Sequence, residues 1–497
     1  MDRIRKKLEY IKSLNTRGFW IGFVSGIFYF GYTFWWFWDL YPLESFGISN
    51  SFLSFVLVLL PFTLIVVSMA FSWGIASFYS IKFLAIVEWH WIIPLAWAGT
   101  FVLAEYLMAF LPSIIFIGNG SIIGPYWTIG NPAYLLQDLD YVVRTSSIWG
   151  IYGITFLLIY LIGGILLFLR RKDFKNLLLL TWVPILFLCV NTFLLNGDDK
   201  NSKEKVLPVA IIQTQTPTKS SYTPEENLGN LQKKLDLLKE AAKFLNSRED
   251  SERGIVILPE GSHLLSSLSV FSNEDSIKKY FENLSEKELL VIDQILSPAG
   301  VDLKSKVVVI NSKNGLIGTY DKKLLTPGGE FTPYIFKFPL ALFGYDKLLS
   351  PDIYPGSGPD TIEFDDQKLK IVVCSELISP SIVRSGNGNF IIALHNFGLF
   401  HGGRLLESQL LAISRFRAAE NQKYSITSSN YGQSYIIDPN GIVEKMASGV
   451  GYELLTGSIV PNKSRTWYNY VGDWPILLLS SVFFGLSLRK IRNGTKS

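Results

Sequence analysis

The sequence predicts a multi-span α-helical membrane domain followed by an α/β layered sandwich. Three observations carry this reading. Hydrophobic residues crowd into the first 196 positions and one short segment near the end, in a chain of 497 residues that is 48% apolar and only 18% charged. Residues 197–470 have the composition of an ordinary globular chain. Within them, short β-branched runs alternate with charged stretches of helical spacing, as strands covered by helices do. The length allows two or three domains. Two cysteines in separate regions, Cys189 and Cys374, argue against a disulfide framework and leave no paired-cysteine metal spacing. The net charge of +4 sits largely on the flanks of apolar segments, so it is not read as a nucleic-acid footprint.

In chain order, Arg3, Arg5, Lys6, Lys7, Lys12 and Arg17 precede the apolar run Gly18–Trp38. Its end, Trp35-Trp36-Phe37-Trp38, reads as an interfacial belt and not a cleavage site, so the run is expected to be a retained span. Residues 51–81 carry no charge and suit one crossing, which needs ~20 residues, with an interfacial extension. Runs at about 89–112, 146–169 and 176–195 follow, and Trp474–Leu488 is short for a crossing by itself. With all six counted and the N-terminus cytoplasmic, the basic clusters fall inside: the N-terminus, Lys82, Arg170-Arg171-Lys172 with Lys175, and Arg489-Lys490 with Arg492 and Lys496. The expected organisation is a membrane domain over 1–196, an extracytoplasmic domain over 205–465, and a final span with a basic cytoplasmic tail over 466–497. Cys189 reads as a lipid- or core-facing small hydrophobe. Glu105, inside the third run, is a functional candidate as an intramembrane carboxylate, weighed against a hydrogen bond to a neighbouring helix near the outer interface.

In the globular part, strands are expected at Val206–Gln213, Gly254–Leu258, Lys306–Asn311, Leu316–Tyr320, Leu369–Cys374, Phe390–Leu394, Tyr424–Thr427 and Ser434–Ile437. Helical spacing lies at about 224–246, where Leu228, Leu231, Leu235, Leu238 and Ala242 recur, and at 404–421. Glu260, Lys322 and Cys374 stand out because each comes at or just past the end of an apolar strand, so a layered sheet could bring all three to one edge. Their chemistry is coherent. A carboxylate can take the thiol proton, and an ammonium can stabilise the thiolate and then the oxyanion of a tetrahedral intermediate. Individually each has a plainer reading: a surface salt bridge for Glu260 or Lys322, a buried structural cysteine for Cys374. His263, His395 and His401 read as polar loop residues.

The ordered triple, in its local contexts, resembles the nitrilase (carbon–nitrogen hydrolase) superfamily, and most closely its membrane-bound branch, apolipoprotein N-acyltransferase. Leu258-Pro-Glu260 is similar to that family's strand-Pro-Glu, and Val373-Cys-Ser-Glu376 to its Cys-Tyr-Glu. The most specific piece is Tyr320-Asp-Lys-Lys-Leu-Leu-Thr-Pro-Gly-Gly-Glu-Phe-Thr-Pro333, similar to Tyr-Asn-Lys…Leu-Val-Pro-Phe-Gly-Glu-Phe-Val-Pro. Gly124-Pro-Tyr-Trp-Thr-Ile-Gly130, Arg417-Ala-Ala-Glu420 and Asn430-Tyr-Gly resemble further family segments. The resemblance implies a nitrilase-like αββα sandwich, with Glu260 as base, Lys322 stabilising charge and Cys374 taking an acyl chain as a thioester. It implies Glu330 and Glu376 as supporting carboxylates, and no metal or cofactor. The implied partners are a phospholipid acyl donor, a diacylated apolipoprotein acceptor and the membrane, with no nucleic acid. The implied location is the bacterial inner (cytoplasmic) membrane, with the catalytic domain on the periplasmic side.

This chain departs from the family at Ser375, where the family has tyrosine, at Leu399, where it has tryptophan, and at Tyr222, which falls where another tryptophan is expected. The six expected crossings are also two fewer than the family's usual eight. Between Glu330 and Cys374 lies a long, apolar, proline-broken loop containing Phe336, Phe338 and Phe343, read either as core or as a lid touching lipid. With Tyr222, these are the substrate and lid candidates. Two other functions stay open: a membrane-anchored amidase with water as acceptor, and a catalytically inactive membrane scaffold. Few ionisable residues in the spans, Glu88 and Glu105 chief among them, argue against an ion-coupled transporter.

Overall fold

The computed structural model describes residues 2–86, 92–172, 181–187, 189, 206–219, 222–271, 274–299, 302–345, 352–400 and 403–494. Helix α1 (Asp2–Thr33) runs antiparallel to α2 (Ser51–Ile86) because Gly18, Gly22 and Gly26 give it one smooth face. A Cβ added at Gly26 would lie 2.7 Å from Ala70 Cα, and one at Gly22 would meet Trp73 and Ser77. Small residues at this spacing let helix backbones approach in a membrane. Helix α3 (Ile92–Met108), the short α4 (Leu111–Ile115) and α5 (Asp140–Arg171) complete the N-terminal bundle.

Three helical stretches are long and apolar enough to cross a membrane among the described residues: Ser51–Leu84, Ile92–Ile115 and Asp140–Leu169. They correspond to the second, third and fourth expected crossings. The first expected crossing is helical within α1, but glycines, hydroxyl groups and Arg17 dilute its hydropathy. Most of the fifth, 176–195, lies outside the described residues, as do Glu88, Lys175, Leu348, Leu349, His401 and Lys496.

The sandwich begins at β1 (Leu207–Gln213), then α6 (Pro224–Asn246), β2 (Arg253–Ile257), α7 (Leu264–Phe271), α8 (Glu274–Leu284), β3 (Glu288–Ala299), β4 (Asp302–Asn311) and β5 (Gly315–Asp321). Thr223 opens α6 with a capping box, its hydroxyl accepting from Glu226 N while the Glu226 carboxylate accepts from Thr223 N. After α9 (Tyr334–Leu342) come β6 (Ile362–Phe364), β7 (Gln367–Val373), α10 (Pro380–Arg384), β8 (Phe390–Asn396) and α11 (Arg404–Asn421). The chain ends in β9 (Ser425–Asn430), β10 (Tyr435–Ile437), β11 (Val443–Met446), β12 (Glu453–Ile459), α12 (Trp467–Val471) and α13 (Trp474–Gly494). The last expected crossing lies in α13, which packs against α3 where Gly99 meets Ser480 and turns basic at Arg489 and Lys490.

Two six-stranded sheets form, in orders β12-β1-β2-β3-β4-β5 and β11-β10-β9-β8-β7-β6. Alternate residues of each, such as Val209, Ile255, Ile371, Val373, Ile392 and Leu394, meet in a shared core. The first sheet's outer face is covered by α6, α7 and α8 through Leu238, Leu245, Leu264 and Phe281. The second sheet's outer face is covered by α11, and that apolar layer continues into the bundle: Val372, Ala393, Leu410 and Phe416 share one cluster with Phe30, Val102, Ile151 and Phe156. The sandwich meets the bundle at the end where α5 begins, Arg415 pairing with Asp140 at 2.5 Å. At the opposite end, Gly18 approaches Ile81, Trp97 donates to the Ser80 carbonyl (2.6 Å), and Phe484 packs on Phe83. Lys82 and the Arg489 end of α13 therefore lie away from the sandwich.

Candidate active site

Cys374 closes β7 at φ +50° and opens a 3-10 turn, Cys374–Ile378. A left-handed conformation at a residue with a Cβ is strained, and at the end of a strand it turns the side chain out of the sheet. His263 (φ +49°) and Tyr431 (φ +56°), just past the ends of β2 and β9, share it at the same end of the sandwich. The elbow is held by Glu376, fully buried, whose carboxylate accepts from Val373 N (2.8 Å), Lys323 N (2.6 Å) and the Tyr320 hydroxyl (2.7 Å). Glu376 thus fastens the end of β5 to the end of β7. Its carboxylate is taken up by backbone N–H groups and the Tyr320 hydroxyl. Ser375 donates to the Leu324 carbonyl at 2.5 Å and adds a second tie.

Lys322 follows β5 and is 1% exposed. Its Nζ lies 3.1 Å from Glu260 Oε1 and 2.8 Å from Glu330 Oε2. Glu330 also accepts from Thr326 N at 2.7 Å, which fixes the carboxylate that pairs with the lysine. Glu260 sits in the turn after β2 within hydrogen-bonding reach of the Cys374 thiol. The three strand ends therefore meet, and Cys374 as a residue is half-buried.

Electrostatics set the resting protonation. Burial, and then the Glu260 charge, push the Cys374 thiol well above its ordinary range. Burial raises Glu260 against the pull of Lys322. Burial would lower Lys322, but Glu260 and Glu330 outweigh it and hold the ammonium charged. Two carboxylates and one ammonium already leave the pocket negative, so a standing thiolate is disfavoured. The arrangement suits a neutral thiol that loses its proton to Glu260 as it attacks.

The other candidates do not all join this group. Tyr222 is half-buried, its phenol donating to the Pro217 carbonyl beside Tyr431 and Tyr452. The stretch read as a proline-broken loop is in part a helix, α9, with Pro339 inside it. Tyr334, Phe338 and Leu342, at i, i+4 and i+8, are 50%, 76% and 70% exposed and form one apolar stripe. Phe336 faces inward with Leu340, packing on Leu53 and Leu57 at the start of α2, and Phe343 lies against Phe52 with ring centres 6.4 Å apart. His395 corrects its reading as a loop residue. The run from Phe390 continues as strand through His395 and Asn396, which pair with Ser429 and Asn430, and the imidazole is buried with neither nitrogen hydrogen-bonded. Glu105 accepts from Trp73 Nε1 on α2 at 2.8 Å, the plainer of its two readings. Among the described residues no group of three His, Cys, Asp or Glu side chains is placed to hold a metal ion. Sequence reading placed Tyr320 at a strand end but gave it no role, and missed the β3 pair Asp293–Gln294 because charged and amide residues interrupt the apolar pattern of that strand.

Residues 208–469, just over half of the chain, match the carbon–nitrogen hydrolase family. The chain belongs to that family. Curated relatives include proteins named apolipoprotein N-acyltransferase from Photobacterium profundum, 24% identical over 370 residues (70% of this chain, 66% of the relative), and from Synechocystis, 25% identical over 289 residues (56% and 52%). The chain thus spans less than two thirds of those relatives' own lengths. A Coxiella burnetii protein of the same name is 24% identical over 501 residues, covering 95% of this chain and 92% of the relative. Among solved structures, Nit3 of Saccharomyces cerevisiae, a member of branch 10 of the nitrilase superfamily, is 17% identical and covers 52% of this chain and 91% of its own, with a TM-score of 0.37. Family membership and the two-sheet sandwich agree with the fold expected from the sequence.

Proposed function

We propose that this protein moves an acyl chain from a membrane phospholipid to the α-amine of the N-terminal diacylglyceryl-cysteine of apolipoproteins, through a thioester on Cys374. The observation that carries the reading is a thiol, base and ammonium on a sandwich whose outer layer is continuous with apolar, membrane-length helices. The similarity to N-acyltransferases over 95% of the chain supports it. Glu260 takes the thiol proton as sulfur attacks the donor ester carbonyl. Lys322 faces the developing oxyanion. Collapse breaks the ester C–O bond, and Glu260 returns the proton to the departing lysophospholipid oxygen. The acceptor amine then attacks the thioester, Glu260 takes its proton, the C–S bond breaks and the thiol is restored. Glu330 orients Lys322, and Glu376 holds the elbow.

The domain boundaries and topology belong to the same proposal: 1–196, 205–465 and 466–497, in the bacterial inner membrane with the catalytic domain periplasmic. Supporting it, Lys82 and the basic end of α13 lie at the end of the bundle away from the sandwich. The amidase reading shares the site, so acyl capture decides. Intact mass spectrometry after incubation with phospholipid and no acceptor is expected to show an acyl adduct on Cys374, released by hydroxylamine and absent in Cys374→Ala. No adduct on the folded protein overturns the proposal in favour of water-accepting or inactive alternatives.

A further inference from the structure

Glu260 and Lys322 stand on two arms that leave the same sheet from different strands. Glu260 lies past the end of β2, in a turn where Gly261 adopts φ +77°. Lys322 is the first residue past β5, its N–H donating to the Ser305 carbonyl at 2.9 Å. One buried side chain reaches the first arm directly and the second through Ser305 of β4. Gln294 of β3, 3% exposed, accepts from Gly261 N with Oε1 at 2.8 Å. Its Nε2 donates to Ser305 Oγ at 3.1 Å and to the Ile295 carbonyl at 3.2 Å. Its own carbonyl accepts from His263 N at 3.2 Å. Asp293 beside it accepts from the Ser262 hydroxyl and from Leu265 N at 2.8 Å, while Lys234 Nζ donates to the Ser262 carbonyl at 2.5 Å. The turn carrying the base is gripped along its length, and the Gln294 amide ties that grip to Ser305, whose carbonyl holds the Lys322 N–H.

We propose that Gln294 is a positioning residue that sets the placement of Glu260 and Lys322 relative to Cys374. The chemistry asks for this side chain. An acceptor is needed toward Gly261 and a donor toward Ser305, which a neutral primary amide supplies and a carboxylate or thioether does not. A glutamate here would also add a negative charge near Lys322, in competition with Glu260. The proposal rests on the reading of Cys374 as nucleophile with Glu260 as its base, and not on the identity of the donor or acceptor.

The test is the pH dependence of Cys374 alkylation by iodoacetamide in the full chain, with peptide mass separating Cys374 from Cys189. Gln294→Met is expected to slow alkylation at neutral pH about tenfold, since displacement of a reacting group by ~1 Å costs up to ~100-fold. Its pH profile should move toward that of Glu260→Gln. Ser305→Ala, which leaves the hold on Gly261, should shift the profile the same way but less. A lowered thermal midpoint with a wild-type profile is what a purely structural glutamine gives, and it overturns the proposal. If Gln294→Met does not fold, Ser305→Ala decides: an unchanged profile overturns the proposal as well. Alkylation needs no lipid, so a wild type that alkylates yet forms no acyl adduct sinks the acyltransferase reading and leaves this one standing.

Discussion

Lys322 is buried between two carboxylates, so its removal is costly in a pH-dependent way. Lys322→Met leaves Glu260 and Glu330 facing each other without a cation, a loss on the order of 3 kcal/mol for an uncompensated buried charge. Burial raises Glu260 even with the lysine present, and without it the rise is larger. A carboxyl whose folded pKa exceeds its unfolded value stabilises the fold at low pH and loses that contribution as pH climbs through the folded value. The variant's thermal midpoint in detergent is therefore expected to fall further below wild type at pH 8 than at pH 5; an equal deficit at both would contradict the charge argument. His395 gives the opposite sign. Burial, and then Lys322, depress its pKa to about 3, so proton uptake favours the unfolded chain below its ordinary value of ~6.5. Between pH 7 and pH 5 that group alone should remove about 2 kcal/mol of stability. His395→Gln should flatten this part of the pH–stability curve, measured as the wild-type minus variant difference. Neither consequence is readable from sequence, because both depend on which strand ends meet.

Helix α9 is where the sequence was read least well. Phe331–Phe343 showed as an apolar stretch interrupted by proline, and a proline argues for a loop, yet Pro339 sits within a short helix. Its faces divide: Phe336 and Leu340 pack on the start of α2, while Tyr334, Phe338 and Leu342 face outward. The three phenylalanines grouped as lid candidates are thus not equivalent. Phe338→Ser with Leu342→Ser removes only the exposed stripe and is expected to cut turnover of long-chain phospholipid donors severalfold while sparing a short water-soluble thioester. Equal loss on both donors would end the lid reading. Phe336→Ser instead opens a hole in a packed cluster and should lower stability with either donor. Elements with clean periodicity were legible: α6 spans Pro224–Asn246 and α11 Arg404–Asn421, at the bounds the spacing predicts. Strands β3, β6, β11 and β12 were not, because Asp293 and Gln294 break the alternation of one and the others are short or carry little apolar residue contrast. The catalytic candidates were legible for a different reason. A polar residue just past an apolar strand reveals a sheet end without any need to know the sheet order.

The sandwich and the bundle share structure as well as a chain. At Gly150 helix α5 breaks, with φ +61° and ψ −179°, a conformation open to glycine, and an added Cβ would strike the Tyr468 ring. The break frees Ile151 N, which donates to Glu420 Oε1 of α11 at 3.0 Å. Glu420 is itself buried against Arg417 at 3.1 Å, and Arg417 donates to the Tyr134 hydroxyl at 2.9 Å. Thr128 beside Tyr134 donates to the Ile378 carbonyl at 2.6 Å, four residues beyond Cys374. The outer layer of the second sheet is thus completed by the bundle through both apolar packing and buried polar groups. Removing the bundle would expose Leu410, Ile413 and Phe416 and strip the Arg417–Glu420 pair of its Tyr134 and Ile151 partners, leaving an apolar patch that a soluble protein does not tolerate. Residues 205–465 produced alone are expected to aggregate in buffer without detergent, as judged by sedimentation velocity, whereas the full chain in detergent stays monodisperse. A well-behaved monomer from the excised piece would show that the shared layer is dispensable. It would also weaken the lipid-substrate reading, which rests on the sandwich layer being continuous with the bundle, since an anchor that contributes nothing to the sandwich suits a hydrolase equally well.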